Sequence, residues 1–564
     1  MRLDYLAGVL GGVLVVAASP MCTLSAQQSA PLTCEALARV QAPNATITSA
    51  AAVEASSKIA NNLTASKPFC RVSGFLTPTS DSHIAFEVWL PAPDAWNHKF
   101  QGVGNGGFAG NVNVRAMMPA LDRGYATMAT DYGHVNPPAN PVEDVSWAYQ
   151  HPEKFVDYAY RAEHLTTLLA KQVIAAFYGA APAHSYYTGC SAGGIQGMVE
   201  MLRYPTDYDG YVVGDATPDH LGQELAAFWN TMAASSLSSP GDAFTPARIT
   251  LVHDAILKQC VGKDGGAGTD GFLTNPQACK FDPKSLQCAA GQDAATCVSP
   301  AQVALLDKIY KGPTDSTTHK QILAPLNPGP ELGWDRYISG KKNPVGTERP
   351  WAGFVAYVGE SDPDYLAQQK YLAFNWGSDL AAMRQQKIGD QTLDAVFNTP
   401  SRNLEPVKAE GGKVIHYHGW DDPNIPALEA VDFFNEVVAD QAKRHKLSEK
   451  QASEQTQQFY RLFMVPGMGH CNGGAGATVF GQGGRGLKDD PQYDTLDALE
   501  QWVEKGIAPE RFIGSRVDNK TGSVSMTRPI CAYPKVPVWK GSGDTNDASN
   551  FTCTEKPPVQ RSSK

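Results

Sequence analysis

Gly189-Cys190-Ser191-Ala192-Gly193 is the stretch whose reading decides the fold of this chain. It has the G-x-S-x-G form of a nucleophile elbow, a sharp turn between a strand and a helix that presents a serine hydroxyl. Glycines at 189 and 193 permit the tight turn and close strand–helix packing without a Cβ clash. Such a match in a glycine-rich chain is often an ordinary turn, so its flanks carry the decision. His184-Ser-Tyr-Tyr-Thr188 before it is strand-like, and after it Ile195, Met198 and Leu202 share one helical face between Gly194 and Arg203. Strand, turn and helix in that order are what an elbow requires.

Working outward, Ile84–Leu90, His98–Val103 and Tyr125–Thr130 read as strands bounded by Pro, Asn and Gly, and Phe155–Tyr178 as a helix. Strands resume at Lys413–Tyr417 and Phe459–Val465, with a helix over Ala427–Lys446 between them. A serine nucleophile needs a base, an orienting acid and oxyanion donors. The first of these late strands runs into Gly419-Trp-Asp-Asp-Pro423, where Asp422, just before proline, is the better candidate acid and Asp421 the competing turn residue. The second runs into Pro466-Gly-Met-Gly-His-Cys471, which projects His470 as the base. The order Ser, Asp, His is that of α/β-hydrolases and not of chymotrypsin or subtilisin. His416 and His418, alternating at the end of the first late strand, read as packed or surface histidines. Oxyanion donors are expected at the Ala192 N–H and in the glycine-rich loop Gly102–Gly110, at Gly106 or Gly107. That loop lacks the phase of a dinucleotide-binding turn.

The fold expected is therefore an α/β-hydrolase core with a large lid inserted between nucleophile and acid. The domain reading is a signal peptide over 1–26, core over 27–218, lid over 219–398 and core again over 399–564. The lid stretch differs in character, holding four cysteines, Gly/Pro turns and the aromatics Trp334, Trp351, Phe354, Tyr357, Phe374 and Trp376. These rings can stack on a planar acyl group or form the lid's own core. Pro557–Lys564 reads as a frayed polar end.

Met1-Arg2, an apolar stretch over Leu6–Ala18 and a small-residue site ending at Ala26 have the pattern of an export signal. The apolar run is short for a membrane span of about 20 residues, so the mature chain is expected to be secreted or periplasmic without stable membrane association. Cleavage would remove Cys22 and leave ten of the eleven cysteines, an even number that favours disulfides in an exported protein. Close spacings suggest Cys34–Cys70, Cys260–Cys279, Cys288–Cys297 and Cys531–Cys553. Cys190 and Cys471 are left for each other, and bringing Ser191 to His470 would place them within bridging reach. A net charge of −10 with no long basic run argues against nucleic acid as partner; oligomeric state is open. Asp264-Gly-Gly-Ala-Gly-Thr-Asp270-Gly271 is either a plain Asp/Gly turn or a Ca²⁺ loop. No organic cofactor is implied.

These residues resemble the tannase and feruloyl esterase family, which includes mono(hydroxyethyl) terephthalate hydrolase. The resemblance is carried by Asn105-Gly-Gly-Phe-Ala-Gly110, Gly124-Tyr-Ala-Thr127, Gly189-Cys-Ser-Ala-Gly193, Gly419-Trp-Asp-Asp-Pro423 and Gly469-His-Cys471. It implies an α/β-hydrolase core with the lid inserted between Ser and Asp, a disulfide beside the nucleophile and base, and Asp422 as the acid. It also implies a structural Ca²⁺ in the lid loop, with Asp264, Asp270 and the Phe272 carbonyl as ligands. The family loop usually opens with Cys-Asp and sets its aspartates closer together; here Val261 follows Cys260 and the loop is longer. The function expected is hydrolysis of small aromatic esters of feruloyl or galloyl type through an acyl-enzyme. A terephthalate-monoester hydrolase is an alternative, and a non-catalytic polyphenol- or carbohydrate-binding protein is the reading from another class.

Overall fold

The computed structural model describes residues 31–555 apart from 139–141, 143, 236, 238–241, 337–363, 369, 400 and 485. The expected signal segment, the C-terminal tail and the lid aromatics Trp351, Phe354 and Tyr357 lie outside the described residues.

Nine strands form one sheet: β1 (Ala45–Val53), β2 (Phe69–Leu76), β3 (Ile84–Pro91), β4 (Lys99–Val103), β5 (Ala126–Thr130), β6 (His184–Cys190), β7 (Gly210–Gly214), β8 (Lys413–Gly419) and β9 (Tyr460–Val465). Their order is β1-β2-β3-β5-β4-β6-β7-β8-β9. The first three junctions are antiparallel and the rest parallel. The parallel strands are short and apolar on both faces, as strands covered by helices on each side must be. Alternation then sorts side chains between two cores. Tyr187, Tyr211, Val213, Val414, Tyr460 and Leu462 join one core; Tyr186, Val212, Ile415, Tyr417 and Phe463 join the other.

Helices α1 (Val114–Asp122), α2 (Ala162–Tyr178), α3 (Ala192–Arg203), α4 (His220–Ser235), α5 (Pro246–Cys260), α6 (Pro300–Lys311), α7 (Ala427–His445) and α8 (Thr495–Lys505) complete the main framework. The first core takes Leu169 of α2, Met198 of α3 and Phe433 of α7, and the second takes Leu496, Leu499 and Trp502 of α8. The long helix expected from Phe155 starts at Pro152 and passes through a π-turn, Asp157–Arg161, before α2. This is the expected α/β-hydrolase fold.

Between β7 and β8 the chain leaves the sheet and builds a further apolar core of its own from Ile249, Val252 and Ile256 of α5 and Val303, Leu306 and Ile309 of α6. Trp334 is buried there, and Phe374 and Trp376 are also buried, so these three rings serve as core. The insertion is not self-contained: Leu221, Leu225 and Phe228 of α4 pack into the core of the sheet. Five disulfides join Cys34–Cys70, Cys190–Cys471, Cys260–Cys279, Cys288–Cys297 and Cys531–Cys553. These are the five pairs expected from spacing and proximity.

Candidate active site

The parallel strands β4, β6, β7, β8 and β9 all end at the same sheet edge, so their carboxyl ends gather the site residues, as in other open α/β sheets. Ser191 follows β6 with φ 61° and ψ −130°, a conformation that a residue with a Cβ adopts only when the surroundings impose it. The surroundings here are the glycines. A Cβ on Gly189 would come within 2.3 Å of the Gly193 carbonyl oxygen, and one on Gly193 within 2.6 Å of the Asn105 carbonyl oxygen. Only glycine lets strand, elbow and oxyanion loop approach this closely.

His470 Nε2 lies 2.8 Å from Ser191 Oγ, and His470 Nδ1 lies 2.8 Å from Asp422 Oδ2. The other Asp422 oxygen accepts from the N–H groups of Asn424 at 2.8 Å and Ile425 at 3.1 Å. Burial raises the Asp422 carboxyl, but the His470 charge and hydrogen bonds from His418 and His470 outweigh it and hold the group below the usual carboxylate range. Asp422 is thus an anion against the imidazole. The competing Asp421 turns its carboxylate toward Gly329 in the insertion, where burial and then Glu331 push it up to about 7. Cys190 and Cys471 are bridged with their Cα atoms 5.9 Å apart, which ties the strand end before Ser191 to the loop of His470.

The two oxyanion candidates of the glycine loop differ. The Gly106 N–H donates to Asn105 Oδ1 at 3.0 Å, whereas no acceptor for the Gly107 N–H is found among the described residues. The loop is steadied by the Asn105 N–H donating to Gln196 Oε1 of α3 at 3.1 Å. Ala192 opens α3, so its N–H is one of the first four of a helix, which lack intrahelical acceptors. Ser191 and His470 open into a cleft of about 480 Å³ whose walls include Phe108, Val142, Ala227 and Ile425, with Gln223 and Glu224 of α4 as polar groups.

Sequence reading missed three contributors. Asp215, at the end of β7, accepts from the Gly419 N–H at 2.7 Å and also from the Cys471 N–H. His418, expected only to be packed or exposed, is fully buried with Nε2 3.5 Å from Asp422 Oδ2. Gln196 holds the oxyanion loop. The available signal for Asp215 was its place directly after a strand whose neighbours carry the site; Gln196 and His418 had none.

The lid loop does not fit a calcium ion. Hard cations need several free oxygen ligands, but both Asp264 oxygens accept backbone N–H groups, from Gly266 at 3.1 Å and Thr274 at 2.5 Å. Asp270 accepts from Ala267 N at 2.9 Å and pairs at 2.5 Å with Arg528 Nη2, both side chains being buried. Among the described residues no third His, Cys, Asp or Glu joins these two carboxylates in a ligand-like group. A guanidinium already supplies the loop's positive charge.

The family model described as tannase and feruloyl esterase matches residues 70–554. A protein of Xanthomonas campestris described as an uncharacterized esterase is 36% identical over 550 residues, 94% of this chain and 92% of that one. A probable feruloyl esterase B-2 of Aspergillus terreus is 31% identical, covering 88% of each chain. The crystal structure of feruloyl esterase B from Aspergillus oryzae superposes with a TM-score of 0.80 at 29% identity, covering 92% of this chain and 99% of that one.

Proposed function

This chain belongs to the tannase and feruloyl esterase family and is a carboxylic ester hydrolase; from that premise we propose that it cleaves aromatic acyl esters with Ser191 as nucleophile, by way of an acyl-enzyme. The observation that carries this reading is the pair of 2.8 Å contacts linking Ser191 to His470 and His470 to Asp422. His470 removes the Ser191 proton as Oγ attacks the ester carbonyl carbon, and Asp422 stabilises the imidazolium that forms. The carbonyl oxygen, now anionic, is received by the N–H groups of Ala192 and Gly107. Collapse expels the alcohol, protonated by His470, and leaves the acyl group on Ser191. Water, deprotonated by the same imidazole, then releases the acid. A largely apolar cleft with a few polar side chains, among them Asn111, Gln223, Glu224 and Asn424, suits a flat acyl group carrying a phenolic hydroxyl.

Five disulfides support an oxidising compartment, and with the signal-like N-terminus they favour export. Among the described residues no helix is long and apolar enough to cross a membrane.

Ser191→Ala is expected to lower kcat by about 10⁵–10⁶-fold and to abolish labelling by a fluorophosphonate probe; retained turnover would reject the nucleophile. Kinetics on methyl ferulate, methyl gallate, chlorogenic acid and a terephthalate monoester test the acyl preference, and the highest kcat/KM on the terephthalate monoester would displace the feruloyl or galloyl reading.

A further inference from the structure

Beneath the site lies a buried carboxylate that hydrolysis by Ser191, His470 and Asp422 does not use. Asp215 is fully buried, follows β7 with φ 41°, and is fixed by its N–H, which donates to the Tyr417 carbonyl at 2.9 Å. A non-glycine residue at positive φ is uncommon, so the surroundings hold the side chain in one direction. Its two oxygens then reach loops that are far apart in sequence. Oδ1 accepts from the Gly419 N–H at 2.7 Å; Oδ2 accepts from the Cys471 N–H and lies 3.6 Å from Cys190 Sγ. Gly419 begins the turn that carries Asp422, and Cys471 directly follows His470. One side chain therefore braces the acid's turn and the base's loop against the disulfide.

The same carboxylate adds charge. Asp215, Asp422 and His470 each place a polar atom within 4.8 Å of the others'. His418 Nε2 stands between the two carboxylates, 3.8 Å from Asp215 Oδ1 and 3.5 Å from Asp422 Oδ2. Tyr417 and His418 of β8, Asp422 of the following turn and His470 of the loop after β9 are the titratable groups facing Asp215. Burial raises the Asp215 carboxyl to about 6, against the pull of His418, so above that pH it carries its charge. A buried anion near an imidazole favours its protonated form, and the imidazolium is the state His470 must reach as Ser191 attacks.

We propose that Asp215 is a positioning residue of the ester hydrolysis: it locks the Asp422 turn to the His470 loop and supplies a second negative charge that favours proton uptake by His470. The proposal rests on Ser191, His470 and Asp422 acting as described above.

Asp215→Asn keeps the size and one carbonyl acceptor but removes the charge. It is expected to lower kcat at least about tenfold, to change KM less than about threefold, and to move the acid limb of kcat/KM down by about half to one pH unit. A merely structural role would lower the amount of folded enzyme without moving that limb. Asp215→Glu keeps the charge on a longer arm, so the limb stays near its wild-type position while kcat falls; it also carries the test where Asp215→Asn does not fold. The pH dependence of fluorophosphonate labelling of Ser191 reads the same imidazole without substrate. Wild-type kcat and an unmoved limb in Asp215→Asn, or wild-type kcat in Asp215→Glu, overturns the proposal. Activity surviving in Ser191→Ala overturns the underlying reading instead, so the two failures are distinguishable.

Discussion

Asp421 and Asp422 are chain neighbours with different surroundings. Asp422 points at His470 and is held ionised; Asp421 faces the insertion. Asp422→Asn should lower kcat by about 10³–10⁴-fold, since the imidazole loses the anion that orients it, while Asp421→Asn should leave kcat within about threefold. Steady-state kinetics of both variants decide it, and the reverse ranking would hand the role to Asp421. Asp422 was favoured from its position before proline, but its partner across 48 residues is visible only in the fold. Arg528 is the stronger example. It pairs with Asp270 across 258 residues, and no local pattern joins this arginine to a loop aspartate. Removing one member of a buried pair leaves the other uncompensated at a cost of about 3–5 kcal/mol, so Arg528→Gln should lower the thermal midpoint clearly. EDTA should leave the wild-type midpoint in place; a drop reversed by added Ca²⁺ would put an ion in the loop.

Elements explain why so much of the site was legible. The stretches ending β6, β8 and β9 each combine a short apolar strand with a Gly/Pro turn and one reactive side chain, a local pattern that shows through in sequence. β7 ends in Gly214-Asp215-Ala216-Thr217, which has no such pattern, and its role comes from lying between β6 and β8. The Cys190–Cys471 bond and the Asp215 bridge brace the same loop, one covalently and one through hydrogen bonds. Cys190→Ala with Cys471→Ala should therefore lower both the thermal midpoint and kcat. Its effect on kcat combined with Asp215→Asn should be less than the product of the two, because neighbouring braces are not independent. Full multiplicativity in a double-mutant cycle would mean that the two restrain different motions.

At the scale of the whole molecule, buried carboxyls shape the response to pH. Burial is the leading cause that pushes Asp131 and Glu163 up to about 7, so the folded chain keeps protons that the unfolded chain releases near pH 4. Their contribution is complete below about pH 4 and is lost as pH rises through about 7. Asp422 acts in the opposite sense: its depressed value contributes stability above about pH 4 that is lost as pH falls. The thermal midpoint should therefore peak near pH 4, fall from there to about pH 7 and level off above it. A midpoint that climbs steadily to pH 8 would show that these carboxyls ionise without cost.

The sequence by itself determined the alternation of strands and helices, the strand–turn–helix around Ser191, and the three stretches that bring Ser191, Asp422 and His470 together. Each of these is a local pattern in which hydrophobic period and turn chemistry agree. It also narrowed the cysteine pairing, because short loops close most readily. Only the tertiary structure decided that the Gly106 N–H is taken by Asn105 while the Gly107 N–H has no acceptor among the described residues, that Arg528 meets the lid loop, and that Asp215 lies under the His470 loop. Those facts depend on which distant groups meet in a dry interior. There an unpaired charge or N–H is costly, and its partner is chosen by packing.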